Sequence, residues 1–124
     1  MMNLSALFNN KDSYEKTIVK IRDDEYELFV KRKLTVSDNE FINDSLPKHL
    51  ETNDPSYIIA MLVNMIHRSV KVKSDTDDLV TIDVTVIRDA FSIDELAAIV
   101  DAIHEIQGNK VVDQDEEEKD LKKK

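Results

Sequence analysis

Asp54-Pro55-Ser56-Tyr57-Ile58-Ile59-Ala60-Met61-Leu62-Val63-Asn64-Met65-Ile66-His67-Arg68 is the stretch on which the fold turns. Asp followed by Pro starts a helix well. The carboxylate accepts from a free N–H of the first turn, and Pro at the first helical position gives up a donor that had no partner. The spacing predicts a helix from Pro55 to about Arg68. Between Tyr57 and Ile66 only Asn64 is polar, so this helix is apolar nearly all round and must be covered on more than one side. It is the expected centre of the molecule.

Downstream, Val70 and Val72 and then Leu79, Val80 and Ile82 flank the polar run Ser74 to Asp78, the pattern of a short hairpin. Asp83 to Phe91 reads two ways. Val84, Val86 and Ile87 favour a strand by propensity, whereas Asp83 as cap with Val84, Ile87 and Phe91 at helical spacing favours a short helix, the reading preferred here. Ser92 and Glu95 form a capping box, and Gly108 stands where a left-handed stop belongs, so a helix is predicted over Ile93 to Gln107. Its stripe of Ile93, Leu96, Ile99, Val100, Ile103 and Ile106 is wider than one packing contact requires, and part of it is expected to face a partner.

Upstream, apolar and polar residues alternate from about Glu15 to Arg22 and again through Tyr26, Leu28 and Val30, with Asp23 and Asp24 as the turn between them. This is a β-hairpin whose turn lacks Gly, so its register is open. Ser37 and Glu40 suggest a capped helix from near Asp38 that Pro47 ends after two turns. Leu4, Leu7 and Phe8 make a short N-terminal helix or arm within residues 1–13. Residues 14–112 are expected to form a single α+β domain, mostly helical, an N-terminal β-hairpin followed by a small helical bundle. Residues 113–124, with six acids and four lysines and no apolar residue except Leu121, are expected to be a disordered acidic tail.

Composition excludes several function classes. The chain has 124 residues, no cysteine, one glycine and a net charge of −9. Without cysteine there is no disulfide, thiolate metal site or cysteine nucleophile. One glycine cannot build a phosphate-cradling loop or a dinucleotide fingerprint. The acidic balance repels nucleic acid, so no direct nucleic-acid binding is expected. No apolar run approaches the roughly 20 residues of a membrane span, and Met1 to Asn10 lacks the pattern of a secretory signal, so a cytoplasmic protein with no membrane association is expected. His49, His67 and His104 have no second histidine near them at ligand spacing. Asp75, Asp77 and Asp78 resemble the start of a calcium loop, but Val80 and Val86 occupy the positions that need Gly and Glu. Neither a metal, a cofactor nor an enzymatic activity is expected.

Lys31, Arg32 and Lys33, with Lys71 and Lys73, form a basic cluster that either balances neighbouring acids or binds an acidic segment, this chain's own tail included. Met61 and Met65 lie one helical turn apart beside Ile58 and Leu62. Flexible thioethers suit an adaptable partner groove or an irregular core equally. The candidate partner-binding residues are therefore Leu4, Leu7 and Phe8 on the arm, Ile58, Met61 and Met65 on the central helix, and Ile99, Ile103 and Ile106 on the last one.

Three segments together carry a resemblance: Leu4-Ser5-Ala6-Leu7-Phe8 at the start, Lys31-Arg32-Lys33-Leu34-Thr35-Val36 leading from a hairpin into a helix with Glu40, Phe41 and Ile42, and Phe91-Ser92-Ile93-Asp94-Glu95-Leu96 opening a helix that ends in Ile103-His104-Glu105-Ile106. In layout the chain resembles the tail assembly chaperones of long-tailed bacteriophages. The resemblance implies a non-catalytic, self-associating protein that coats the apolar, helical tape measure protein until tail tube subunits polymerise round it. It assigns no individual residue. From a different class, the −9 charge suggests an acidic mimic of DNA that occupies a host enzyme's nucleic-acid site, although the acids cluster in Asp23 to Glu25, Asp75 to Asp78 and the tail.

Overall fold

The computed structural model describes residues 14–108. They form an α+β layout in the order β1 (Tyr14–Ile21), β2 (Asp24–Lys31), α1 (Val36–Asp44), α2 (Pro55–Ser69), β3 (Val70–Lys73), β4 (Leu79–Thr81), α3 (Val84–Ala90) and α4 (Ile93–Gln107). The two hairpins join through β2 and β3 into one antiparallel sheet of order β1-β2-β3-β4. The arm expected at residues 1–13, with Leu4, Leu7 and Phe8, and the tail expected at residues 113–124 lie outside the described residues.

The first hairpin turns through Arg22 and Asp23, one residue earlier than the Asp23-Asp24 turn expected, and pairs Ile21 with Asp24. Both loop residues have positive φ, 53° and 72°. Two left-handed residues in a two-residue loop give the type I′ geometry that matches strand twist, adopted here without glycine. Register then puts Glu15, Thr17, Val19 and Ile21 on one face with Val30, Leu28, Tyr26 and Asp24, and Val19, Ile21, Leu28 and Val30 of these are buried.

Helix α4 lies on that face, against β1 and β2, and α2 packs behind it while also touching α1 and α3. One cluster of buried side chains runs through Val19, Ile21, Leu28 and Val30 of the hairpin, Val63 and Ile66 of α2, Val70 of β3, Ile87 of α3, and Leu96, Ile99, Val100 and Ile103 of α4. The width of the α4 stripe follows from this position. Between a sheet and a helix, α4 has to be apolar on two sides. Ile99 and Ile103 are 2% and 0% exposed, so the expectation that they face a partner is corrected: they belong to the core.

The helix starts at α2, α3 and α4 follow the sequence. Asp54 accepts from the Ser56 N–H, Asp83 from the Thr85 N–H, and Ser92 and Glu95 close a reciprocal capping box. Gly108 stops α4 at φ 75°. At α1 the box is Thr35 and Asp38, two residues before the expected Ser37 and Glu40.

Candidate partner-binding cleft

The β2–β3 ladder is much shorter than its strands. It pairs only Val30 with Val70 and Phe29 with Lys71, although β2 continues back to Asp24 and β3 forward to Lys73. Leu28 and Val72 would face each other next, and Glu27 and Lys73 after them. Instead these four residues line a cleft of about 490 Å³. At the point where the strands part, β3 leaves the end of α2 directly, Ser69 being followed at once by Val70, and its Lys71, Val72 and Lys73 pair with β4. Because ladder partners share a face, Val80 points the same way as Val72.

The rest of the lining comes from Ile21 and Tyr26 of the hairpin, Ile82 after β4, and Ala90 and Phe91 at the elbow between α3 and α4, with Arg22 at the rim. Tyr26 is on the inner face, where α4 does not reach, and is 49% exposed. Val86, one helical turn before Ala90, is exposed as well. Among the described residues, the sheet's apolar face is thus closed over β1 and β2 by α4 and left open where β2 and β3 diverge.

Arg22 holds the rim in shape. Its Nε and Nη2 donate to Glu95 Oε2 and Oε1 at 2.8 and 2.9 Å, and Nη2 also donates to the Ala90 carbonyl at 2.6 Å. A guanidinium fork suits this bidentate contact. Glu95 Oε1 also accepts from the Ser92 N–H. Its carboxyl is held below the usual glutamate range, first by the Arg22 hydrogen bond and then by Ser92. The tip of the hairpin is therefore tied to the start of α4 across the mouth of the cleft. Apolar walls with Arg22, Glu27 and Lys73 at the edge suit the binding of an apolar segment.

Among the remaining sequence candidates, Ile58 and Met61 stand on the exposed side of α2 at 36% and 39%. Met65 and Ile106 are partly buried against the core, and the Met65 sulfur accepts from Ser69 Oγ. The structure therefore brings Met65, Ile99, Ile103 and Ile106 to the core and leaves Ile58 and Met61 outside it. The histidine of α2 serves the fold: His67 Nδ1 lies 2.7 Å from the Ile82 carbonyl and its ring lies 5.3 Å from that of Phe41. Among the described residues no group of three His, Cys, Asp or Glu is placed to hold a metal.

Sequence reasoning missed a buried ionic cluster. Asp38 is 1% exposed, yet its Oδ2 accepts from Lys31 Nζ at 2.8 Å and from the Thr35 N–H at 2.9 Å. Its Oδ1 accepts from Arg68 Nε, and Arg68 also stacks on Phe41. Burial by itself would raise the Asp38 carboxyl. The hydrogen bonds from Lys31, Thr35 and Arg68 outweigh it and hold the carboxyl at about 2. The cluster ties β2, α1 and α2 together, and it explains the early start of α1: as third helical residue, Asp38 caps the helix with the same carboxylate that binds Lys31 and Arg68.

No family model matches this sequence, no curated protein matches it, and no solved structure matches it. No helix among the described residues is long and apolar enough to cross a membrane.

Proposed function

We propose that this chain is a non-catalytic binding protein that holds an apolar segment of a partner protein in the cleft between β2, β3 and the α3–α4 elbow. The observation that supports this reading is the early end of the β2–β3 ladder, which leaves Leu28, Val72, Tyr26 and Phe91 around an open apolar space. Covering such a surface is favourable by roughly 25 cal/mol per Å² of apolar area removed from water. The bacteriophage tail assembly chaperones that the sequence layout resembles give this reading a specific form. The partner is then the tape measure protein, the site of action is the cytoplasm of the infected cell, and the chaperone self-associates, with Ile58 and Met61 available for that contact. The DNA-mimic reading finds less support, because on the sheet's outer face Lys16, Lys20, Lys71 and Lys73 outnumber Glu25 and Glu27, where a mimic needs continuous acid.

The test is co-expression with a phage tape measure protein, the long helical partner that the resemblance implies. The chain keeps that protein soluble at equimolar ratio, and the double variant Tyr26→Glu/Ala90→Trp, altered at two exposed lining positions, loses the effect. Aggregation that proceeds unchanged in the presence of the native chain overturns the proposal.

A further inference from the structure

The outer face of the sheet is the second unexplained surface. Register places Lys16, Phe29, Lys71 and Thr81 in one row across all four strands, since Lys16 pairs with Phe29, Phe29 with Lys71 and Lys71 with Thr81. Tyr14, Ile18, Lys20, Lys31 and Lys73 share that face, as do Glu25 opposite Lys20 and Glu27 opposite Ile18. Among the described residues, α4 covers the opposite side of β1 and β2. Lys71 Nζ sits 5.1 Å from the Tyr14 ring centre and Lys73 Nζ 5.6 Å from that of Phe29. Among the described residues no carboxylate lies within ion-pair distance of Lys20, Lys71 or Lys73, whereas Lys16 pairs with Glu27 at 3.4 Å. Lys16, Lys20, Lys71 and Lys73 outnumber Glu25 and Glu27 on this face, which leaves it positive in a chain with 26 acids to 17 basic residues.

We infer that the acidic segment Asp113-Gln114-Asp115-Glu116-Glu117-Glu118 of this same chain docks on that face. Charge complementarity is the first argument: five acids in six residues meet three lysines without a carboxylate partner. Position is the second. Helix α4 ends beside the sheet, where Gln107 Nε2 donates to the Lys31 carbonyl at 3.1 Å, and Lys31 is the ladder partner of Tyr14. Residues 108 to 113 span up to about 17 Å when extended, at roughly 3.3 to 3.6 Å per residue. That is enough to pass the end of the sheet and reach Tyr14 and Lys71. The six residues of the segment then cover about 20 Å more, most of the length of an eight-residue strand. Docked there, the segment shields Phe29, Tyr14 and the half-exposed Ile18 from contact with other molecules, and any stronger acidic ligand of that face has to displace it.

The absence of cysteine makes the test clean. A nitroxide attached to Gln114→Cys in the full chain, which leaves every acid in place, reports which amides lie near the segment. The expected result is line broadening at Phe29, Lys71 and Lys16, with little at Val86 or Ile58, falling at least threefold in 0.5 M salt. Lys20→Glu/Lys71→Glu, both on the outer face and outside the cleft lining, should reduce it similarly. Broadening centred on the cleft or the helices, or unaffected by salt and by the double variant, overturns the inference. Broadening seen only when labelled and isotope-enriched chains are mixed also overturns it, because the contact then lies between copies.

Discussion

Replacing Asp38 by Asn keeps the shape of the side chain and removes the charge that Lys31, Arg68 and the Thr35 N–H share. The carboxyl falls from an ordinary 3.8 to about 2 in the fold, which corresponds to roughly 2 kcal/mol of stabilisation at neutral pH. Because the folded value lies below the unfolded one, this contribution is complete above about pH 4 and is lost as pH falls toward 2. Removing one partner of a buried ion pair typically costs about 3 to 5 kcal/mol. Here Lys31 and Arg68 keep 19% and 32% side-chain exposure and can turn partly to water, so the expected cost at pH 7 is about 2 to 4 kcal/mol. Urea unfolding at pH 7 and through the range from pH 5 to 2 measures both quantities. The native chain should lose roughly 2 kcal/mol more than Asp38→Asn between pH 4 and 2. A variant within about 0.5 kcal/mol of the native chain at pH 7, or two parallel pH curves, would refute the assignment of Asp38 as the pin between β2, α1 and α2.

Asp23→Gly relieves a positive φ of 72° in the hairpin loop and should raise stability by about 0.5 to 1 kcal/mol in the same assay. Ser92→Ala removes the cap of α4 and should cost about 1 kcal/mol. Ile103→Ala, at a fully buried position, should cost about 2 to 5 kcal/mol, whereas Met61→Ala on the exposed side of α2 should change stability by less than about 1 kcal/mol. Equal costs at the two positions, read from urea midpoints, would mean that α4 and α2 do not divide between core and surface as described.

Local chemistry made much of the fold legible. The Asp54-Pro55 start, the Ser92 and Glu95 box, the Gly108 stop and the Asp83 cap each act within one helical turn, and the structure uses each as expected. The second hairpin and the helical form of Val84 to Ala90 were legible for the same reason. The first turn was misplaced by one residue on physical grounds. Moving a two-residue turn by one position shifts the pairing by two, which leaves every side chain on its original face, so apolar alternation cannot tell the two registers apart. The start of α1 depended on Lys31 and Arg68, seven positions before Asp38 and thirty after it, beyond the reach of a local cap pattern. The stripe of α4 was read correctly as too wide for one contact, but its second contact is the sheet of the same chain. The cleft was illegible because it arises from strand divergence between β2 and β3, two elements separated by α1 and α2. Its one sequence trace is Tyr26, an aromatic residue at an inner-face position of the hairpin, where Val19, Ile21, Leu28 and Val30 are aliphatic.

The most direct test of the docking account compares two surfaces on one protein. A phage tape measure protein, the partner proposed above, is co-expressed with the native chain, with Tyr26→Glu/Ala90→Trp in the cleft, and with Ile58→Glu/Met61→Glu on the exposed side of α2, and its soluble fraction is measured. The account predicts that the cleft variant leaves the partner insoluble while the α2 variant protects it as well as the native chain does. Protection that survives in the cleft variant and disappears in the α2 variant would contradict it and move the binding surface to the central helix.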